Sequence, residues 1–213
     1  VIAVITAFAL MVSTLLLGSY SAFADGTPDI WDGSVSSGLT CERVGNEGKA
    51  DNPYLINNAS DLAYLAKNAI YANTKDKYYK LTADIYINDV STDWYATGNT
   101  DGLNLREWTY GGPEAGISAN GFCGTLDGDN HVIYGSYYED KVTSSNYMAG
   151  LLFFGLNGKG QIKNLGIAKS RLDTTVAGDG CEGGAFAGYK HDWNGIDGNG
   201  VVFENCFVDD TVY

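Results

Sequence analysis

Apolar and polar positions change rhythm several times along the chain, and each change marks an expected element. Residues 1–17, VIAVITAFALMVSTLLL, carry no charge and lead through Gly18 to Ala22-Phe23-Ala24. An apolar core shorter than the roughly 20 residues of a membrane-spanning helix, ending at small residues, predicts an export signal cleaved before Asp25. An uncleaved N-terminal anchor is the alternative. No initiator Met or basic stretch precedes Val1, so the signal is expected to begin upstream of it. Residues 25–52 form a turn-rich lead-in, because Gly, Asp, Asn and Ser interrupt every apolar run. Pro53-Tyr54-Leu55-Ile56 then reads as a short strand.

From Ser60 to Tyr71 the period becomes helical, with Leu62, Leu65, Ala66, Ala69 and Ile70 on one face. Asn58 or Ser60 can cap the first turn. Such a helix is expected to cover the open end of a stack of strands. After Tyr78 the period falls to two: Leu81, Ala83, Ile85 and Ile87 alternate with Lys80, Thr82, Asp84 and Tyr86, as one strand would require. A turn-rich insertion over 89–120, carrying Trp94 and Trp108, separates these residues from the rest. The unit 53–120 thus holds the capping helix, the first strands and the insertion.

Beyond 120 three segments vary one theme: GFCGTLDGDNHVIYGSYYE, GLLFFGLNGKGQIKNLGIAKSRL and GGAFAGYKHDWNGIDGNGVVFENCFVDDTV. Gly150–Gly155 aligns with Gly184–Gly188, and Ile162-Lys163-Asn164-Leu165-Gly166-Ile167 aligns with Phe203-Glu204-Asn205-Cys206-Phe207-Val208. Copies of short strand, Gly turn and short strand cannot bury their apolar faces singly, so they must stack as a β-solenoid. The 28 Gly suit its tight corners. A β-sandwich is the alternative arrangement of the same strands. No capping element follows the repeat-like run before Tyr213, so the array is expected to continue and 121–213 to expose an unpaired edge.

The run from Asn52 to Asn88 resembles the lead-in module of large bacterial surface proteins, and GFCGTLDGDNHVI resembles their F-x-G-T-x-D-G-x-x-H-x-I signature. Gly150-Leu151-Leu152-Phe153-Phe154-Gly155 and Gly184-Ala185-Phe186-Ala187-Gly188 resemble the GLUG repeats that follow it; the first is lengthened from the usual Gly-Leu-Phe-Gly. The resemblance implies an all-β, right-handed parallel β-helix in an exported protein, often attached to a cell wall or adhesive. GLUG repeats also accompany the catalytic domain of immunoglobulin A proteases, as accessory parts.

Charge narrows the partners. Thirteen basic against 26 acidic residues leave a net charge of −13, which repels phosphate backbones and argues against nucleic acid. An aromatic content of 13% with 3 Pro argues against disorder. Cys41, Cys123, Cys181 and Cys206 permit disulfides in an exported chain, with three pairings open, and equally suit buried apolar filling. No C-x-x-C pair suggests zinc.

Catalytic constellations are weak. Asp209-Asp210 resembles the paired aspartates of polygalacturonase-type hydrolases, but no Asn-Thr-Asp, Gly-His-Gly or Arg-x-Lys partner occurs. Asp127-Gly128-Asp129-Asn130-His131 spaces oxygens as calcium loops do, yet lacks the closing acid, so a turn is expected. Asp197-Gly198-Asn199-Gly200 reads the same way. Cys181 with His191 and Asp192, or with Glu182 and His191, sits in an acidic setting that disfavours a thiolate.

Trp94, Trp108 and Trp193 lie in polar, Gly-rich stretches and are the speculative ligand contacts, for a glycan or a host or cell-wall protein. Trp31 and Tyr95, Tyr110, Tyr137 and Tyr138 share that context. The expectation is a secreted, cell-surface module, structural stalk or adhesin, with no catalytic residue, metal or cofactor, and no membrane span once the signal is cleaved. The alternative is an N-terminal or accessory part of a polysaccharide-acting β-helix enzyme or surface protease.

Overall fold

Short parallel strands, each too narrow to bury a face alone, dominate the computed structural model, which describes residues 27–111, 121–140, 148–174, 182–191 and 200–213. The expected signal, 1–24, lies outside them. Strands β1 (Tyr54–Ile56), β2 (Tyr78–Leu81) and β3 (Ile85–Tyr86) open the sheet structure. The chain then runs β4 (Thr125–Asp127), β5 (Val132–Tyr134), β6 (Tyr137–Asp140), β7 (Met148–Gly150) and β8 (Phe153–Asn157). It repeats that series as β9 (Gln161–Lys163), β10 (Gly166–Ala168), β11 (Arg171–Thr174), β12 (Glu182–Gly184) and β13 (Ala187–His191). A third pass begins with β14 (Val202–Glu204) and β15 (Phe207–Val208).

Every ladder between these strands is parallel, and each strand of one pass lies beside its counterpart in the next. One sheet is ordered β1-β2-β4-β9-β14 and another β15-β10-β5-β3, while β6 pairs β11, β7 pairs β12 and β8 pairs β13. Parallel pairing requires a long crossover between partners. Here the crossover is the rest of the circuit.

Inward positions line up in rows across the passes. Tyr79, Leu126, Ile162 and Phe203 are in register in the first sheet, and Ile85, Ile133, Ile167 and Val208 in the second. Leu126, Ile133, Ile162 and Ile167 are essentially fully buried. Each contributes on the order of 1.5–3 kcal/mol by leaving water. The last members of the rows differ: Phe203 is 51% and Val208 45% exposed, because no further strand among the described residues covers them.

The alignment of Ile162–Ile167 with Phe203–Val208 is the physical register, since Ile162 faces Phe203 and Gly166 faces Phe207. The Gly boxes need a correction. Gly150 does face Gly184, but Phe153 faces Ala187 and Gly155 faces Tyr189 rather than Gly188, so the extra residue of the longer box is carried on along the strand.

Corners use side-chain amides and left-handed backbone. Asn164 and Asn205 occupy equivalent corners with φ of 49° and 51°, a region Asn tolerates. Asn205 Nδ2 donates to Asn164 Oδ1 at 3.1 Å, and Asn164 Nδ2 donates to Asp127 Oδ1 at 2.9 Å. This column of amides ties three passes together. The Asp127–His131 stretch is a turn, in which Asp129 N donates to Asp127 Oδ1 and the Asp84 carboxylate accepts from Val132 N and meets His131 Nδ1. Asp84 and His131 thus tie the starts of β3 and β5 together, while Asp127 accepts from Asn164 and Asp129 pairs with Lys80.

The helix α1 is Ala59–Lys67, shorter than expected, and a separate turn α2 (Tyr71–Thr74) follows. Asn58 is the cap: its side chain accepts from Asp61 N, while the Asp61 carboxylate accepts from Asn57 N and Ser36 Oγ. Leu62, Leu65 and Ala66 bury one face of α1 in the core. The single strand expected over 78–88 is two. Thr82-Ala83-Asp84 turns a corner between β2 and β3, and alternation survives because Leu81, Ile85 and Ile87 all point inward.

Two expectations follow for stability. A methyl group on Gly128 would lie 2.5 Å from Asn164 O and 2.7 Å from Leu165 Cα, both backbone of the next pass. Gly128→Ala is expected to lower stability by about 1–3 kcal/mol in urea unfolding; an unchanged midpoint would contradict the stacking. The buried Tyr137 phenol is pushed up to about 12 from 10.0, first by burial and then by its hydrogen bond to Glu139. The unfolded phenol ionises first, so stability is full below pH 10.0, falls as pH rises, and this loss is complete above about 12. Alkaline unfolding followed by phenolate absorbance checks it, and a Tyr137→Phe variant should lose less stability over that window.

Candidate functional site

The aromatic residues of the insertion do not stand in solvent. Trp108 is fully buried, its Nε1 donates to Leu152 O at 3.0 Å, and its ring meets Trp31 edge-on at 5.3 Å and Tyr110 at 5.1 Å. Trp94 is 2% exposed, donates to Asp89 O, and meets Tyr95 and Tyr137 edge-on in a smaller core of its own. Trp94 opens the short helix α3 (Trp94–Thr97). The reading of Trp94 and Trp108 as exposed ligand contacts is therefore corrected: both fasten the insertion to the strands beneath. Asn88 adds to this, donating to Arg106 O and Gly135 O and accepting from Arg106 N. Trp193 lies outside the described residues.

Cysteine chemistry is similarly resolved. Cys41, Cys123 and Cys206 are free thiols, so no bridge joins any two of them. Cys123 is buried, and burial pushes its thiol up. Cys206 Sγ lies 3.3 Å from Ile162 O, as a small filler between passes. Cys181, Asp192 and Asp197–Asn199 lie outside the described residues. Asp209 accepts from Thr211 N and Thr211 Oγ1, which makes it a turn cap. Among the described residues, no group of three His, Cys, Asp or Glu side chains could hold a metal ion. No helix among them is long and apolar enough to cross a membrane.

Two grooves remain. One, of about 460 Å³, runs between the lead-in and the insertion, where Trp31 and Trp94 show edges only and Asp32, Asp89 and Arg106 supply charge. The other, of about 480 Å³, lies between α1 and the β1–β2 ladder. Tyr54 and Tyr64 are half-buried on its walls and Tyr79 is buried in its floor, with the Tyr54 and Tyr79 rings 5.6 Å apart. Burial is the main reason that both the Tyr54 and Tyr79 phenols are raised, and Tyr64 lines the same groove. Asn68, Asn73 and Lys77 complete the polar lining.

Comparison with known proteins adds one relationship. The chain is similar to Halomucin. The match, with the protein of that name from Haloquadratum walsbyi, is 30% identical over 161 residues, taking in 72% of this chain. The chain spans only 2% of the length of Halomucin. No family model and no solved structure matches.

The thiol assignment is testable in a Cys181→Ser background. Cys41 and Cys206, both partly exposed, should react with a chromogenic disulfide reagent in the folded state, and Cys123 only on unfolding. Fewer than three titratable thiols after unfolding without reductant would show a bridge and refute the assignment.

Proposed function

We propose that this chain is part of a non-catalytic module of an extracellular surface protein, a stalk or adhesin, folded as a right-handed parallel β-helix with GLUG-type repeats. The observation that carries it is the repeated order of parallel ladders, β4 to β8 followed by β9 to β13, with Gly150 stacked on Gly184. In such an array each pass contacts only its neighbours, so length can grow without a larger core. That is the property a stalk needs.

Similarity to Halomucin supports a surface or extracellular setting. The acidic surface fits a protein kept soluble outside the cell. Asp209, weighed with Asp210 for catalysis, is engaged as a cap by Thr211, and Asp127 and Asp84 serve as corner ties to Asn164 and Val132 N. Export, through the segment 1–24, is part of the same reading.

An epitope inserted at Val44, whose side chain is fully exposed in the lead-in, tests it. In cells expressing the complete reading frame, the tag should be reached by antibody and removed by protease without lysis. A tag detected only after lysis would reject the surface assignment.

A further inference from the structure

We propose that the groove between α1 and the β1–β2 ladder binds an acidic saccharide, with Tyr54 and Tyr64 flanking the sugar ring and Lys77 meeting its carboxylate. This goes beyond the surface-module reading and does not depend on it. The groove's volume, about 480 Å³, lies in the range of small-ligand sites. Its lining sets three tyrosines and two amides beside Leu39 and Leu65. Such a surface suits the mixed C–H faces and hydroxyls of a pyranose better than it suits an apolar side chain.

The polar groups are available. Among the described residues no partner takes up the Tyr79 hydroxyl, although its ring is held between Tyr54 and Phe122. Asn68 Nδ2 donates to Tyr64 O at 2.8 Å, which fixes an amide that lines the groove. The Lys77 ammonium lies 6.0 Å from the Tyr54 ring centroid and forms no ion pair among the described residues. By contrast Lys80 is paired with Asp129 and Lys163 with Glu204. The nearby Glu47 carboxylate is engaged by Gly45 N at 2.6 Å. Against the general repulsion that a chain of net charge −13 exerts on anions, a cation without an ion pair among the described residues, in a groove lined by Tyr54, Tyr64 and Tyr79, gives a local attraction for an anion that brings its own hydroxyls. A uronic acid has that chemistry.

The groove's construction explains its shape. Gly48 has φ of 70°, and a methyl group there would strike the Tyr54 ring and lie 3.1 Å from Lys77 Cδ. Gly48 therefore lets Tyr54 and Lys77 approach the same wall. Its backbone is held by Gly48 N donating to Asn52 O and Tyr78 N donating to Gly48 O.

The test is titration of the purified chain with trigalacturonic acid, with neutral galactotriose and triglutamate as comparisons, followed by calorimetry and by NMR of the tyrosine rings. Trigalacturonic acid should bind saturably and shift the signals of Tyr54, Tyr64 and Tyr79. Lys77→Gln should weaken binding about tenfold, as loss of a charge-assisted contact does. Tyr64→Ala should weaken it about three- to tenfold through the lost aromatic face. Should Tyr64→Ala lower the melting temperature, the Lys77→Gln change at a partly exposed position and the ring shifts decide alone. Absence of saturable binding, equal binding of galactotriose, tighter binding of triglutamate, or shifts elsewhere on the molecule would each overturn the proposal.

Discussion

Backbone pairing between successive passes is the interaction on which everything else rests. A strand of three residues has neither the hydrogen bonds nor the apolar area to persist alone. Placed between two parallel neighbours, Gln161–Lys163 uses both edges, and Ile162 is sealed on both sides by Leu126 and Phe203. The same logic sets the tolerance for side chains at the corners. Where backbone of one pass touches backbone of the next, as Gly128 approaches Asn164, a methyl group cannot be accommodated without movement.

The ends of the array meet that constraint differently. At the N-terminal end α1 lays Leu62, Leu65 and Ala66 over the core, and the bridge from Ile30 to Tyr86 adds a partner to β3. At the other end Phe203, Phe207 and Val208 stay about half exposed, although their counterparts in the previous pass are buried. An apolar rung with free backbone edges is a surface that other strands can extend. The insertion is an end-like element in the middle of the chain: it buries Trp108 against Leu152 and Trp94 against Tyr137 instead of projecting outward.

This arrangement also bears on where function can reside. The interior rows are filled with side chains, and the corner carboxylates and amides are hydrogen-bonded to adjacent passes. Among the described residues, one groove lies where the lead-in and α1 meet the first strands. There the lead-in loop is pinned by Asn52, which accepts from Arg43 N and donates to Arg43 O and Gly45 O. A loop held this way can present the Tyr54 and Lys77 wall of a groove with little freedom to lose on binding.

Much of the architecture was legible from local pattern. Period two over Leu81–Ile87, helical period over Leu62–Ala66, and the self-alignment of Ile162–Ile167 with Phe203–Val208 named which residues face inward and which stack, because those properties follow from neighbours a few positions apart. The corner dividing β2 from β3 was hidden, since a bend that keeps every second side chain inward leaves the alternation intact. The register of the Gly boxes was misread by one residue at Gly155, because matching glycines is not the same as matching hydrogen bonds. The burial of Trp94 and Trp108 and the meeting of Tyr54, Tyr64 and Tyr79 were decided by tertiary structure alone. Their partners lie far along the chain or on different elements, and no local sequence pattern carries information about a neighbour that only folding brings close.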